Sequence, residues 1–144
     1  KSNGYLMGTD TPAWINYHPD PVARQNLNGS FQSSNDFLTW NASIPLPGEI
    51  AQGTRALRTS VTIAPEAADK TIVLHGMENS GELRGAVVNG KYVVPFVREG
   101  SELNINITPW VKLGEKNDIV LIMGGSHETI TALALEFHPK GTYP

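Results

Sequence analysis

Six glutamates, Glu78, Glu82, Glu99, Glu102, Glu115 and Glu128, stand in or beside the turns that separate apolar runs of the chain. Two carboxyls facing each other across about 5 to 10 Å are the equipment of glycoside cleavage, but nothing in the spacing brings any two of these together. Carboxylates in turns are ordinarily just solvated. The four histidines, His18, His75, His127 and His138, are spread without a His-x-x-x-His pair or a cysteine partner, so no zinc-ligand spacing is present. A Gly-x-Ser-x-Gly nucleophile elbow and a phosphate-cradling glycine loop are also missing from the sequence. No catalytic constellation stands out, and catalysis by this chain is not expected.

Binding a sugar without altering it asks for less. It needs an aromatic face to stack on the apolar side of a pyranose and a few planar polar groups to meet the hydroxyls. Trp14, Tyr17 and Trp40 supply rings in the amino-terminal third, and later turns offer Glu78 with Asn79, Arg98 with Glu99, and His127 with Glu128. Each also has a plainer reading. Polar turns need no purpose beyond solvation, and Trp14 with Tyr17 would equally serve to pin an arm to the core.

The elements that must position these residues read as strands. Leu103-Asn104-Ile105-Asn106-Ile107 alternates strictly, which buries one face only at a period of two, with Leu103, Ile105 and Ile107 inward and the two asparagines toward solvent or a sheet edge. Val87-Val88-Asn89-Gly90-Lys91-Tyr92-Val93-Val94 places Asn-Gly between two strand-forming runs, a hairpin signal because both central residues of a type I′ turn need positive φ. Leu57, Thr59, Val61 and Ile63 alternate with Arg58, Ser60 and Thr62, a strand with one wet face. Ile72 to Met77 and Ile119 to Met123 are apolar enough to be central, and Tyr92 to Val94, followed by Pro95, suits an edge. Phe37-Leu38-Thr39-Trp40 reads as the first sandwich strand, and Ile130 to Phe137 as the closing one. Pro45 and Pro47 mark an edge or a loop between sheets, and Pro65 to Asp69 is the best candidate for a helical turn. The expected organisation is an arm or linker over residues 1–29, packed on a β-sandwich over residues 30–144.

With 144 residues the chain is long enough for one ordinary domain. It has no cysteine, so thiols are silent about its compartment. The net charge of −3, without Lys or Arg clusters, lacks the footprint of a nucleic-acid or anionic-membrane binder and favours a neutral partner. No apolar run approaches the roughly 20 residues of a membrane span. Opening at Lys1 rather than Met, the chain reads as a processed product or as a domain of a longer protein.

The order of motifs adds a likeness. The hairpin residues Val88-Asn89-Gly90-Lys91, followed by Ile107-Thr108-Pro109-Trp110 and then Gly114-Glu115-Lys116-Asn117-Asp118-Ile119, resemble the galactose-binding-like jelly-roll domains of glycoside hydrolases. These are best known as the sugar-binding domain of the β-galactosidase and β-glucuronidase family and as accessory domains of rhamnosidases. Asn106 stands where that family usually has Asp, and Lys116 is inserted between Glu115 and Asn117. The likeness covers about half the chain and consists of fold motifs, which are silent about a ligand. It implies an all-β jelly-roll sandwich of two antiparallel sheets, with Trp110 packed in the core and any ligand held by loops at one end. It further implies a non-catalytic carbohydrate-binding module, or accessory domain, of a secreted bacterial enzyme degrading plant or algal polysaccharide. Its partners would then be a glycan and the catalytic domain of the parent enzyme, and its location secreted, periplasmic or at the cell surface. A structural domain that only braces a catalytic neighbour, or a surface protein-interaction module, would share these features. No cofactor is expected. A structural calcium, common in such domains, would have to draw on Asp10, Asp36 or Glu136, and no compact Asp-x-Asp ladder is present.

Overall fold

The computed structural model describes residues 20–95, 97–99 and 101–141, with backbone alone for 97–99. In chain order the strands are β1 (Ala23–Asn26), β2 (Gly29–Ser34), β3 (Ser43–Leu46), β4 (Gly48–Ile50), β5 (Ala56–Thr62), β6 (Lys70–Glu78), β7 (Leu83–Val88), β8 (Lys91–Val93), β9 (Val97–Glu99), β10 (Glu102–Asn106), β11 (Lys116–Met123) and β12 (Glu128–Pro139). They form two antiparallel sheets, one in the order β1-β12-β6-β10-β9 with β4 also pairing β12, the other in the order β3-β2-β5-β11-β7-β8. The chain is an all-β sandwich.

Alternation decides the core. Ile72, Leu74, Leu103, Ile105, Leu133 and Leu135 of the first sheet pack with Phe31, Leu57, Val88, Ile119 and Leu121 of the second, all buried. Strands β6 and β11 are central, and β8 is an edge, as their composition predicts. Asn89 and Gly90 turn the β7–β8 hairpin with φ of 49° and 86°, and Pro65–Asp69 is a single 3-10 turn. The two prolines lie where the chain changes sheets, Pro45 on edge strand β3 and Pro47 just before β4 of the other sheet.

The motifs behind the family likeness prove to be hydrogen-bonding centres. The fully buried Asn117 side chain accepts the Lys112 N–H at 2.6 Å and the Asn89 amide at 2.9 Å. It donates to the carbonyls of Lys112 (2.9 Å), Glu115 (3.0 Å) and Val61 (3.3 Å). Asn106 does the work of an aspartate, its side-chain oxygen accepting the Thr108 hydroxyl at 2.7 Å and N–H at 3.1 Å to start the short turn Thr108–Trp110. Trp110 packs against the core, partly buried.

Two expectations change, and a third lies mostly outside the described residues. Phe37 to Trp40 is not a strand, because the side chains of Ser34 and Asp36 take the backbone donors a sheet would need. Ser34 Oγ accepts Phe37 N–H at 2.9 Å, and Asp36 Oδ1 accepts those of Leu38 and Thr39 at 2.8 and 2.7 Å. The chain there is a tight turn with Phe37 at φ 66°. Asn104 points away from the core as the alternation requires, yet it is 2% exposed, bonded to His75 Nδ1 at 2.9 Å and Glu102 at 3.3 Å instead of to water. Within the arm expected over 1–29, residues 1–19 lie outside the description, and residues 23–26 form strand β1, paired with β12.

Candidate functional site

The candidate residues fall into three groups. Trp14 and Tyr17 lie outside the described residues. Arg98 sits on β9 opposite Leu103, and its side chain is likewise outside the description. The rest divide between one end of the sandwich and the outer face of the second sheet.

Glu78, Asn79, His127 and Glu128 come together at the end where the β6–β7 and β11–β12 loops meet. Most of their polar atoms serve the loops themselves. Asn79 exchanges bonds with the Thr129 backbone at 3.1 and 2.8 Å, and Glu78 accepts the N–H groups of Glu82 and Leu83 at 2.7 and 3.1 Å. Glu82 in turn accepts Ser126 N–H at 3.2 Å and pairs with Arg84 at 3.7 Å. Exposed His127 faces Glu49 at 3.1 Å. Glu78 is 2% exposed and Glu128 fully buried, so neither is a solvated turn residue. Burial, reinforced by a hydrogen bond and charge from Glu78, pushes the Glu128 carboxyl up to about 8. Its Oε1 accepts the Ser80 hydroxyl at 3.4 Å, and its buried Oε2 has no hydrogen-bond partner among the described residues, an environment that disfavours the charged form. A carboxyl kept protonated beside a second one resembles a catalytic dyad in chemistry, but these two are closed to solvent, and Glu78 holds the loop in place through the N–H groups of Glu82 and Leu83.

Trp40 stands elsewhere. The Ser34 and Asp36 turn returns the chain to β2, with Asn41 N–H donating to Ser33 O at 2.8 Å, and so delivers the indole onto the outer face of β5. The Arg58 guanidinium lies over its ring at 4.1 Å from the centroid, and Arg58 Nε donates to Gln32 Oε1 at 2.9 Å. Ser60 donates to Asp118 at 3.1 Å on the neighbouring strand. Gln32, Trp40, Ser43, Arg58, Ser60 and Asp118 line a groove of about 580 Å3. Among the described residues no carboxylate pairs with Arg58, and the groove it lines is otherwise made of hydroxyl, amide, aromatic and aliphatic groups and the Asp118 carboxylate. A partly exposed indole flanked by planar donors and acceptors can stack on a ring and bond its hydroxyls. Of the groove's residues the sequence pointed to Trp40 alone. Arg58 and Ser60 were legible as the wet face of a strand, without a sign of what shares it.

Of the carboxylates considered for calcium, the described ones already have other partners. Asp10 is outside the description, Asp36 is occupied by its own turn, and Glu136 bonds Arg24 at 2.7 Å and His138 at 3.2 Å. Among the described residues no three carboxylate or histidine side chains converge. A second groove of about 460 Å3 beside Phe137 has its cations already engaged, Arg24 by Glu136 and Lys70 by Asp69.

No family model and no curated protein sequence matches the chain. Solved structures do. The β-D-glucuronidase of Dictyoglomus thermophilum superposes with a TM-score of 0.64 at 12% identity, over 85% of this chain and 29% of that one. Ruminococcus gnavus β-glucuronidase gives 0.62 at 13%, and Lactobacillus rhamnosus β-glucuronidase 0.60 at 13%, each over 85% of this chain and 30% of theirs. Identities this low show the fold alone, and the chain spans under a third of each of these structures. The sandwich expected from the likeness to glycoside hydrolase domains is the fold observed.

Proposed function

We propose that the chain is a non-catalytic accessory β-sandwich of a secreted glycoside hydrolase acting on plant or algal polysaccharide, and that it binds glycan through the groove around Trp40. The indole held by Arg58 beside Gln32 carries this reading: an aromatic face with fixed planar hydrogen-bonding groups is the minimum that carbohydrate recognition demands. The low identities and the partial coverage of the β-glucuronidases support the accessory role only through the fold. Sugar titration should quench or shift tryptophan fluorescence, with a dissociation constant in the micromolar to millimolar range, about −4 to −8 kcal/mol. Affinity stays modest because hydroxyls exchange water hydrogen bonds for protein ones at small net gain. Trp40→Ala should abolish binding and leave the melting temperature nearly unchanged. A large fall in melting temperature, together with no fluorescence response of the unaltered chain to any glycan, would sink the reading.

The bracing-domain reading has one observation in its favour. Leu38 is 84% exposed and Phe37 43% at the tip of the capped turn, an apolar pair suited to contact with a neighbouring domain.

A further inference from the structure

The outer face of the second sheet extends well past the groove. Strand register lines up one row of side chains across all six strands: Ser43, Gln32, Arg58, Val120, Val87 and Tyr92. Its first half is polar. Its second half is a floor of two half-buried valines that ends at Tyr92, 54% exposed on β8. Gly85 explains how that tyrosine is held. A Cβ on Gly85 would meet Tyr92 Cε1 at 3.3 Å, its hydroxyl at 3.4 Å and the Val93 carbonyl at 3.0 Å. Without a side chain there, the phenol lies close over Gly85, with its Cε1 and hydroxyl nearest, and stays half exposed. Arg58, over which Trp40 sits, is three strands from Tyr92, about 14 Å at the spacing of neighbouring strands. A trisaccharide covers that span and a monosaccharide does not.

We propose that this row is an extended subsite for a linear, uncharged oligosaccharide lying across the strands, with one sugar ring at Trp40 and another, further along the same chain, at Tyr92. The inference rests on the reading of the Trp40 groove above and adds the class of ligand, a chain segment and not a single sugar. Charge fits a neutral ligand, since the groove sets one cation, Arg58, against one anion, Asp118, and offers no net field to a polyanion. A peptide is a poor fit. Strands β5, β11 and β7 are interior to the sheet with their backbone groups paired, which leaves no edge there for main-chain addition.

The test is calorimetry of the full chain with neutral β-linked gluco-, galacto-, manno- and xylo-oligosaccharides from di- to hexasaccharide. For the series that binds, affinity should rise about tenfold from disaccharide to tetrasaccharide and then level off. Tyr92→Ala, at an exposed position whose folding circular dichroism will verify, should remove that gain and leave disaccharide affinity intact. Trp40→Ala should remove binding at every length. Affinity independent of length, or a length gain that survives Tyr92→Ala, would overturn the extended subsite and leave the Trp40 groove standing. Absence of binding at every length in all four series would overturn both.

Discussion

Burial holds Glu128 protonated far above the pH at which an exposed glutamate ionises, and the consequence is a defined pH dependence. With its pKa pushed up from 4.5 to about 8, the folded chain keeps a proton that the unfolded chain releases. Stability therefore falls as pH rises between those values. The contribution is full below the unfolded pKa and lost as pH passes through about 8. Thermal melts should show a declining melting temperature from about pH 5 to about pH 9. Glu128→Gln, neutral and of similar shape, should flatten that slope and melt higher than the parent at the alkaline end. A variant with the parent's slope would show that Glu128 is not the group responsible. Nothing local marks this residue. Its turn position suggested solvation, and only its burial beside Glu78, where two loops meet, removes its water. Trp40 is the opposite case, since its type alone nominated it, while Arg58 and Gln32, which orient it, became visible only through cross-strand pairing.

At the scale of elements, Asn117 joins β11 to the segment before it, to β5 and to the β7–β8 hairpin through five side-chain hydrogen bonds. Removing the amide strands buried peptide groups, each at about 1–3 kcal/mol. Asn117→Ala should therefore lose about 3 kcal/mol or more in urea denaturation. Asn117→Asp should do no better, because a carboxylate cannot donate to three carbonyls. A loss under 1 kcal/mol, about one ordinary hydrogen bond, would mean that water replaces the amide there. The hairpin was legible because Asn89-Gly90 acts through its own backbone sterics. The Phe37 to Trp40 segment was misread for an equally local reason. Strand propensity reports how a side chain fits a pleated surface, whereas Ser34 and Asp36 act on the backbone donors directly. Their polar run, Ser33-Ser34-Asn35-Asp36, was the turn signal that the aromatics overshadowed.

For the whole molecule, the core between the sheets sets stability, and Ile105 lies fully buried within it on β10. Ile105→Ala should cost about 2–5 kcal/mol by lost transfer energy and the cavity left behind, read from chemical denaturation. A cost near zero would mean that the sheets collapse onto the gap. The sequence by itself determined the alternating core strands, their inward faces and the hairpin, because a period of two and a positive-φ turn are local properties, and burying one apolar face leaves an alternating segment little choice. Only the tertiary structure decided which polar groups lose their water and which residues share a surface. Ser43, Gln32, Arg58, Val120, Val87 and Tyr92 form one row through the register of five strand pairs. No local preference encodes that pairing of distant segments, which emerges when both sheets close over a common core.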